Sequence, residues 1–446
     1  AELAAVDVEG MSWIVHETST IFFTSGKLSE VTHALTSVCA ALRALSEDDA
    51  IDLADTILNE PKTKPLQPPV TILGVRFGAQ SYGLGGFPRL GLLRTTGTTV
   101  NEWVSLRYNR SNAIVFSTAP LGQPRLGLPA GARVPPPRPT PTNILLPAWC
   151  PQDWIGRAWR PFVYFSSVMP GSDAAKVADR VVEADIRRRA EATGLTLAER
   201  EANINPWAPE FDYTDFRIDV GPRVDDGVEA LLGSIDDLAD YAPSPDALAA
   251  GIAEFDRWTN DPSATPGVGA MLAWHELLTD RPRTVEEFLA HVHSVSAIEV
   301  ANVVEAMRRQ AIVVVPEGAE LIDPRFSMLT PTSASPVVGL AYSAATTDDD
   351  PADNVRLVVG AEGVTFVDAD EQLTVRFRDC VAALRFADDV FMLYAADGTM
   401  ISVAAAEWTD GRSALARVRA GLDPERIVDA NPEEPLGAVQ VVGSDD

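Results

Sequence analysis

Cysteine is nearly absent from this 446-residue chain: Cys39, Cys150 and Cys380 are all it has. They lie more than a hundred positions apart, form no C-x-x-C pair and are odd in number, which argues against a disulfide framework and suits a reducing interior. Lysine is as scarce, limited to Lys27, Lys62, Lys64 and Lys176. With abundant Ala, Asp and Val, that usage suggests a GC-rich coding genome. Positive charge as a whole is short, since 36 Lys plus Arg against 64 Asp plus Glu leave a net charge of −28. A field of that sign repels phosphate backbones and anionic lipid heads, so nucleic acid and membrane surfaces are poor partners. No stretch approaches the ~18 uninterrupted apolar residues of a membrane span. The opening Ala-Glu-Leu-Ala-Ala has neither an initiator Met nor the basic-then-apolar layout of a signal peptide, so residues upstream are the expectation; the cytoplasmic location expected goes with the reducing interior that suits the cysteines.

What is present is a repeat. Two Pro-rich stretches read as linkers, one from Pro129 to Pro147 and one from roughly Thr330 to Asp353. Before the first, the alternating run Thr18 to Ser25 ends at Gly26 and leads into a helical pattern of Val31, Leu35, Val38, Leu42 and Leu45. After it, Tyr213 to Val220 ends at Gly221 and leads into Val228, Leu231, Leu232, Ile235 and Leu238. The two glycines stand 195 positions apart. A helix feeding a strand then recurs as Val100 to Phe116 and Ile298 to Val314, with Ala113 and Ala311 at an offset of 198. The second copy also has an early section, the strand Phe162 to Ser167 and the helix Ala174 to Ala192. Its counterpart falls before residue 1, so the first unit is incomplete here.

From about Asn354 to Leu422 short β-like runs alternate with the turn dipeptides Glu362-Gly363 and Asp397-Gly398 and end in a helical stretch, Ser413 to Leu422. This layout resembles the seven-stranded-plus-helix barrel of bacterial PH-like domains. Residues 348–446 hold 8 basic and 21 acidic side chains, so a protein-binding module is expected rather than a phosphoinositide-binding one.

The twin units, the segment Arg-Phe-Gly78 to Tyr-Gly-Leu-Gly-Gly86 before a polar helix, the Pro-rich join, Arg-Arg-x-Ala-x-x-x-Gly-Leu195, and Ser294-Val-Ser-Ala-Ile-Glu followed by Ile-Val-Val-Val-Pro316 together resemble the insulinase/pitrilysin superfamily, the inverted zincins. The likeness covers about residues 11 to 320. It implies an H-x-x-E-H helix binding Zn and a further Glu ligand from a later helix. The motif helix would precede Ala1. The later helix is expected to start at Ser46, an N-cap with Glu47, Asp48 and Asp49 in its first turn, and to stop before Pro61. Taking Glu60 as the family's second Glu places the ligand position at Leu53, with Asp52 beside it; Leu cannot bind zinc, so the site reads as vestigial. The resemblance also implies an Arg and a Tyr that hold substrate backbone. Arg189 matches the Arg, and Leu197 stands where the Tyr would be.

The remaining candidates have plainer readings. His291 and His293, two apart on a helix, point about 200° apart and cannot share a metal from one face. His275 reads as a structural histidine of an amphipathic helix, His33 is helical, and His16 and Glu17 point to opposite faces of a strand. Gly83, Gly85 and Gly86 lack the Lys-Ser/Thr of a phosphate loop and read as a tight turn. Asp348-Asp-Asp350 belongs to a solvating acidic coat.

The expected architecture is therefore α+β, two tandem insulinase-type units plus a small β-rich PH-like domain. The boundaries are 1–130 for the incomplete first unit, 131–146 for the Pro-rich linker, 147–322 for the second unit, 323–353 for a linker, 354–430 for the PH-like domain and 431–446 for an acidic tail. The expected function is that of a non-catalytic subunit pairing with a homologous zinc-bearing subunit around unfolded peptides, with no metal or cofactor in this chain. One alternative is an active zinc endopeptidase whose motif lies upstream of residue 1. Another is a scaffold of a larger complex.

Overall fold

The computed structural model describes residues 11–15, 19–43, 68–87, 90, 95–118, 120, 126–135, 141–142, 144–152, 160–199, 206–208, 211–329, 334–345, 355–368, 372–386 and 390–430. In the first unit β1 (Met11–Val15) and β2 (Thr20–Thr24) form an antiparallel hairpin with Trp13 opposite Phe22. α1 (Leu28–Arg43) follows and buries Ala34, Val38, Cys39 and Leu42, residues at the 3–4 spacing that puts them on one face. α2 (Pro68–Phe77) runs into a 3-10 turn over Ser81–Gly86. α3 (Gly97–Arg107) starts at Thr96, whose side chain accepts from the Thr99 amide in a reciprocal cap.

The strand expected at Ala113 to Phe116 does not form; residues 113–117 are irregular. The same pattern after the corresponding helix of the second unit becomes a central strand because it has backbone partners on both sides. Among the described residues no strand ladder includes 113–116, and an extended segment without a ladder is not a strand.

The second unit is a single mixed sheet with a helical layer. β3 (Ala148–Pro151), β4 (Phe162–Pro170), α4 (Asp173–Ala192), β5 (Thr196–Leu197), β6 (Pro206–Ala208) and β7 (Phe211–Asp219) come first. α5 (Val224–Tyr241), α6 (Pro245–Asn260), α7 (Thr265–Thr279), α8 (Val285–Ser294), α9 (Ala297–Arg309), β8 (Ile312–Val315) and β9 (Ser327–Met328) complete it. The strand order is β5-β7-β4-β8-β3-β9, with β6 beside β7. Its spine is the nine-residue antiparallel pair β4 and β7, in register from Phe162 with Asp219 to Pro170 with Phe211. Helix starts follow side-chain chemistry: Ser172 caps α4, Ser244 caps α6 ahead of Pro245, and Thr284–Glu287 and Ser296–Glu299 are capping boxes for α8 and α9.

Strand alternation divides the sheet into two faces. Val163, Phe165, Phe216, Ile218, Val313 and Val315 point into one core with α4, α5, α8 and α9. Each such buried side chain contributes roughly 1.5–3 kcal/mol. Phe162, Tyr164, Ile312, Val314, Ala148 and Cys150 point the other way, where Ile72 of α2 packs on them with Ile144, Leu146 and Leu329.

The C-terminal region stacks two four-stranded sheets. β10 (Gly339–Ser343), β11 (Arg356–Gly360), β12 (Gly363–Val367) and β13 (Gln372–Arg376) form an antiparallel meander. β14 (Cys380–Phe386), β15 (Val390–Ala395), β16 (Met400–Ala404) and the parallel edge strand β17 (Ile427–Ala430) form the other. Between β16 and β17, α10 (Gly411–Gly421) inserts Ala414, Leu415 and Val418 into their shared core. β10 is drawn from the 323–353 stretch read as a linker and pairs along its whole length with β11.

α2 and its 3-10 turn sit between the second unit and this region. Ala79, Phe87 and Leu90 pack on Ala382, Leu384, Tyr394, Val428 and Ala430. Gly78 takes a left-handed φ of +69°, and a Cβ there would collide with the Ala396 carbonyl. The three cysteines are free and buried in three different places.

Candidate functional site

Two buried polar groupings stand out, one on each face of the second unit's sheet. On the face that α2 covers, β4 contributes Tyr164 and Ser166 and β7 contributes Tyr213. The Tyr164 and Tyr213 hydroxyls lie 2.9 Å apart, and Ser166 Oγ donates to the Tyr213 hydroxyl at 3.1 Å. Arg76, in the last turn of α2 and 2% exposed, reaches into this ground and donates from one guanidinium nitrogen to the backbone carbonyls of Ser166 (3.3 Å) and Gln310 (2.9 Å). Its Nε has no hydrogen-bond partner among the described residues. Burial lowers the Arg76 pKa to about 10 and raises those of both tyrosines. Leu73, Phe77 and Tyr82 complete the seam against Val168 and Tyr213. The Asp215 carboxylate of β7 also bears on this ground, within hydrogen-bonding reach of the Tyr164 hydroxyl and adding to the rise in both tyrosine pKa values; Arg76 fastens α2 to the sheet.

The helix-bearing face ends in a titratable cluster. Arg283 grips Asp173 with two nitrogens, at 2.9 and 2.6 Å, and also meets His291 Nδ1 at 2.8 Å. Lys176 lies 3.8 Å from Asp173 and 3.9 Å from Asp212, and Thr214 donates to Asp179 at 2.5 Å. Asp212 is 6% exposed, and its Oδ1 has no hydrogen-bond partner among the described residues. Burial raises its pKa to about 6; Lys176 works against that, and the Asp179 and Asp173 charges add to it. Burial also works against the Asp173 carboxylate, but hydrogen bonds from Arg283 and the charges of Lys176 and Arg283 outweigh it and hold its pKa below the usual range. Burial, with the Arg283 and Lys176 charges, lowers the pKa of His275 on neighbouring α7. Burial and neighbouring charge thus move the cluster's two carboxylates in opposite directions, Asp212 upward and Asp173 downward.

The residues singled out in the sequence do not converge. Arg189, near the end of α4, is held by Asp185 at 2.8 Å and by Asp237, with Glu229 at 4.0 Å. A substrate carboxylate there would compete with its own acids. Leu197 is buried in β5. His293 pairs with Asp256 at 3.0 Å while His291 faces Arg283 and Asp173, so the two imidazoles serve different partners. His33 is exposed on α1. Gly83 packs so tightly on the Gly78 carbonyl that no Cβ would fit, which is the tight-turn reading of that glycine cluster. His16, Glu17, Ser46, Asp52, Leu53, Glu60 and Asp348 to Asp350 lie outside the described residues. Among the described residues no three His, Cys, Asp or Glu are placed to hold a metal ion, so zinc has no fitting donor set there.

Sequence reasoning missed Arg76, Lys176, Asp212 and Arg283. The signals were available: Asp212 and Thr214 occupy the same strand face as Phe216 and Ile218, and Arg76 interrupts the apolar run Ile72 to Phe77. A polar residue at a core-facing position needs a buried partner.

No family model and no curated protein matches this chain. Solved structures do. A protease from Helicobacter pylori superposes with a TM-score of 0.50 at 12% identity, covering 70% of this chain and 83% of that one. Complex III2 from Candida albicans with Inz-5 bound gives 0.49 at 10% identity over 68% and 80%. The ferredoxin protease FusC, in complex with Arabidopsis ferredoxin, gives 0.45 at 14% identity, and this chain spans 47% of its length. The first of these carries the fold statement: the chain has an α+β fold like that of the Helicobacter pylori protease. Among the described residues no helix is long and apolar enough to cross a membrane.

Proposed function

We propose that this chain is a non-catalytic subunit of an insulinase-type zinc peptidase heterodimer acting on unfolded peptides. The observation that carries the reading is that Leu53 stands where the family resemblance places the further Glu ligand, with Asp52 beside it, and a Leu cannot bind zinc. In this reading zinc and the activating Glu belong to a homologous partner, and the chain supplies a wall of the chamber. Three free, buried thiols fit a cytoplasmic, reducing setting. The order of seven strands, β10 to β16, followed by α10 supports a PH-like, protein-binding identity for the C-terminal region.

Native mass spectrometry of the protein purified from its source, coupled to zinc analysis, tests this. The expected result is a heterodimer in which the second, homologous chain holds the only zinc. A partner-free monomer, or zinc held by this polypeptide with peptide cleavage that EDTA abolishes, overturns the proposal.

A further inference from the structure

The first sheet of the C-terminal region ends on a strand whose outer side is partly open. β10 is the end strand of the β10-β11-β12-β13 meander, and its closing residue shows which way its backbone groups face. Ser343 turns away from β11: its amide donates to Thr409 Oγ1 at 3.2 Å, and its carbonyl accepts from the Thr409 amide at 2.9 Å. In an antiparallel strand that direction recurs at every second residue, so Ala341 and Gly339 also aim their N–H and C=O outward. Among the described residues no hydrogen bond reaches these four groups from that side. Gly339, Leu340 and Ala341 are exposed. Leu340 alternates onto the side of buried Tyr342 yet is 51% exposed, and Val338 just before the strand is 97% exposed. Residues 338–343 hold no proline and no charged side chain, the usual means of blunting an edge.

We infer that the Gly339–Ala341 edge of β10 takes up, as an added strand, an extended segment of a partner protein that is apolar at alternate positions and flanked by Lys or Arg. The open backbone groups select the conformation. Two donors and two acceptors in a row match another extended chain, whereas a helix has its own N–H and C=O groups already paired. Leu340 and Val338 select apolar side chains at every second position of the incoming strand. The field selects the sign of the flanks: residues 334–345 are uncharged, the chain carries −28, and 348–446 hold 8 basic and 21 acidic side chains. Lys or Arg is drawn to that field and Asp or Glu repelled. A second copy of this chain, equally acidic, is by the same argument the poorer occupant. The inference rests on the protein-binding reading of the C-terminal region but not on pairing with a zinc-bearing subunit. Binding that changes to β10 leave untouched would overturn the edge and leave that reading standing.

The test is fluorescence anisotropy of the full chain with a labelled Lys-Lys-Val-Thr-Val-Thr-Val-Lys-Lys peptide at low salt, where saturable binding is expected. Ala341→Pro removes one outward N–H and sets a ring in the path of the incoming strand, while the ladder to β11 keeps its bonds. It should weaken binding about tenfold at an unchanged melting temperature. Leu340→Ser leaves the backbone as it is and should weaken binding about threefold; with a peptide N-methylated at alternate residues, which cannot complete the ladder, it decides the matter even if the proline variant does not fold. A Glu-ended version of the peptide should bind about tenfold more weakly than the Lys-ended one. The inference is overturned by any of these results: no saturable binding; binding that both β10 variants leave unchanged; a methylated peptide that binds as well as the unmodified one; equal binding of the Glu-ended peptide; a parent dimer in sedimentation that Ala341→Pro dissolves, which would make a second copy the occupant; or binding that emerges only when residues 431–446 are removed, which would make the chain's own end the occupant.

Discussion

The two faces of the second unit's sheet are held by different means. The helix-bearing face is a broad apolar core in which Phe165, Phe216, Ile218, Val313 and Val315 are all 0–1% exposed, and its polar residues are pushed to one end. The opposite face is covered by one short helix from elsewhere in the chain, fastened by Arg76 through two carbonyls. A dispersed apolar core loses stability in proportion to the volume removed, whereas a fastening of one buried charge fails when that residue is shortened. The turn that follows α2 packs on the C-terminal region through Ala79, Phe87 and Leu90, so loosening this fastening loosens two interfaces.

The largest expected effect is on the helix-bearing face. Phe216→Ala leaves a ring-sized cavity between β7 and the helices and should cost about 3–5 kcal/mol in urea unfolding. A loss under about 1 kcal/mol would show that this core collapses around the gap and is not the close-packed side of the comparison.

On the other face, Arg76→Ala should cost about 2–4 kcal/mol, because the Ser166 and Gln310 carbonyls lose a donor and the void is not refilled. Arg76→Met, similar in reach and apolar, should recover part of that loss. Limited proteolysis adds a reading the core variant does not give: Arg76→Ala should expose cuts between α2 and α3 before the second unit opens. If both variants unfold only as the whole chain does, the two faces form one cooperative block and the contrast between them fails.

The polar end of the helix-bearing face predicts a pH dependence. Asp212 has a folded pKa of about 6, above its ordinary value of 3.8, so its contribution to stability is present at low pH and lost as pH rises through about 6. Asp212→Asn should therefore stabilise the protein by about 1–2 kcal/mol at pH 7 and change little at pH 4. Asp173 has the opposite sign, since its lowered pKa makes its contribution present at neutral pH and lost on acidification. An Asp212→Asn variant less stable than the parent at pH 7 would mean that attraction to Lys176 outweighs burial.

How much of this was legible in the sequence depends on how far apart the interacting residues lie. Alternation in Tyr213 to Val220 and helical spacing in Val228 to Leu238 identified β7 and α5, because each pattern is a local consequence of facing one core. The same pattern at Ala113 to Phe116 misled, because a strand is made by its neighbours and no strand among the described residues is laddered to 113–116. Arg76 shows the complementary limit: its place in the apolar run Ile72 to Phe77 calls for a buried partner, but its carbonyl partners are 90 and 234 positions away and local pattern cannot name them. The histidines were legible in what they do not do, since spacing alone separates His291 from His293.

The smallest expected effect concerns Arg189, which the family resemblance nominates for substrate and the structure ties to Asp185 and Asp237. Its side chain is 21% exposed, and Asp237 is 57% exposed, so water screens the outer pair and the inner one carries most of the interaction. Arg189→Ala should cost about 1 kcal/mol or less at low salt, and the difference from the parent should shrink as salt is added. Asp237→Ala should reproduce most of the salt-sensitive part, because both substitutions break the same exposed pair. If Arg189→Ala instead leaves stability and its salt dependence untouched but weakens capture of an unfolded peptide by the assembled complex, the ion pairs are incidental. Arg189 would then regain the substrate role that its position at the end of α4 first suggested.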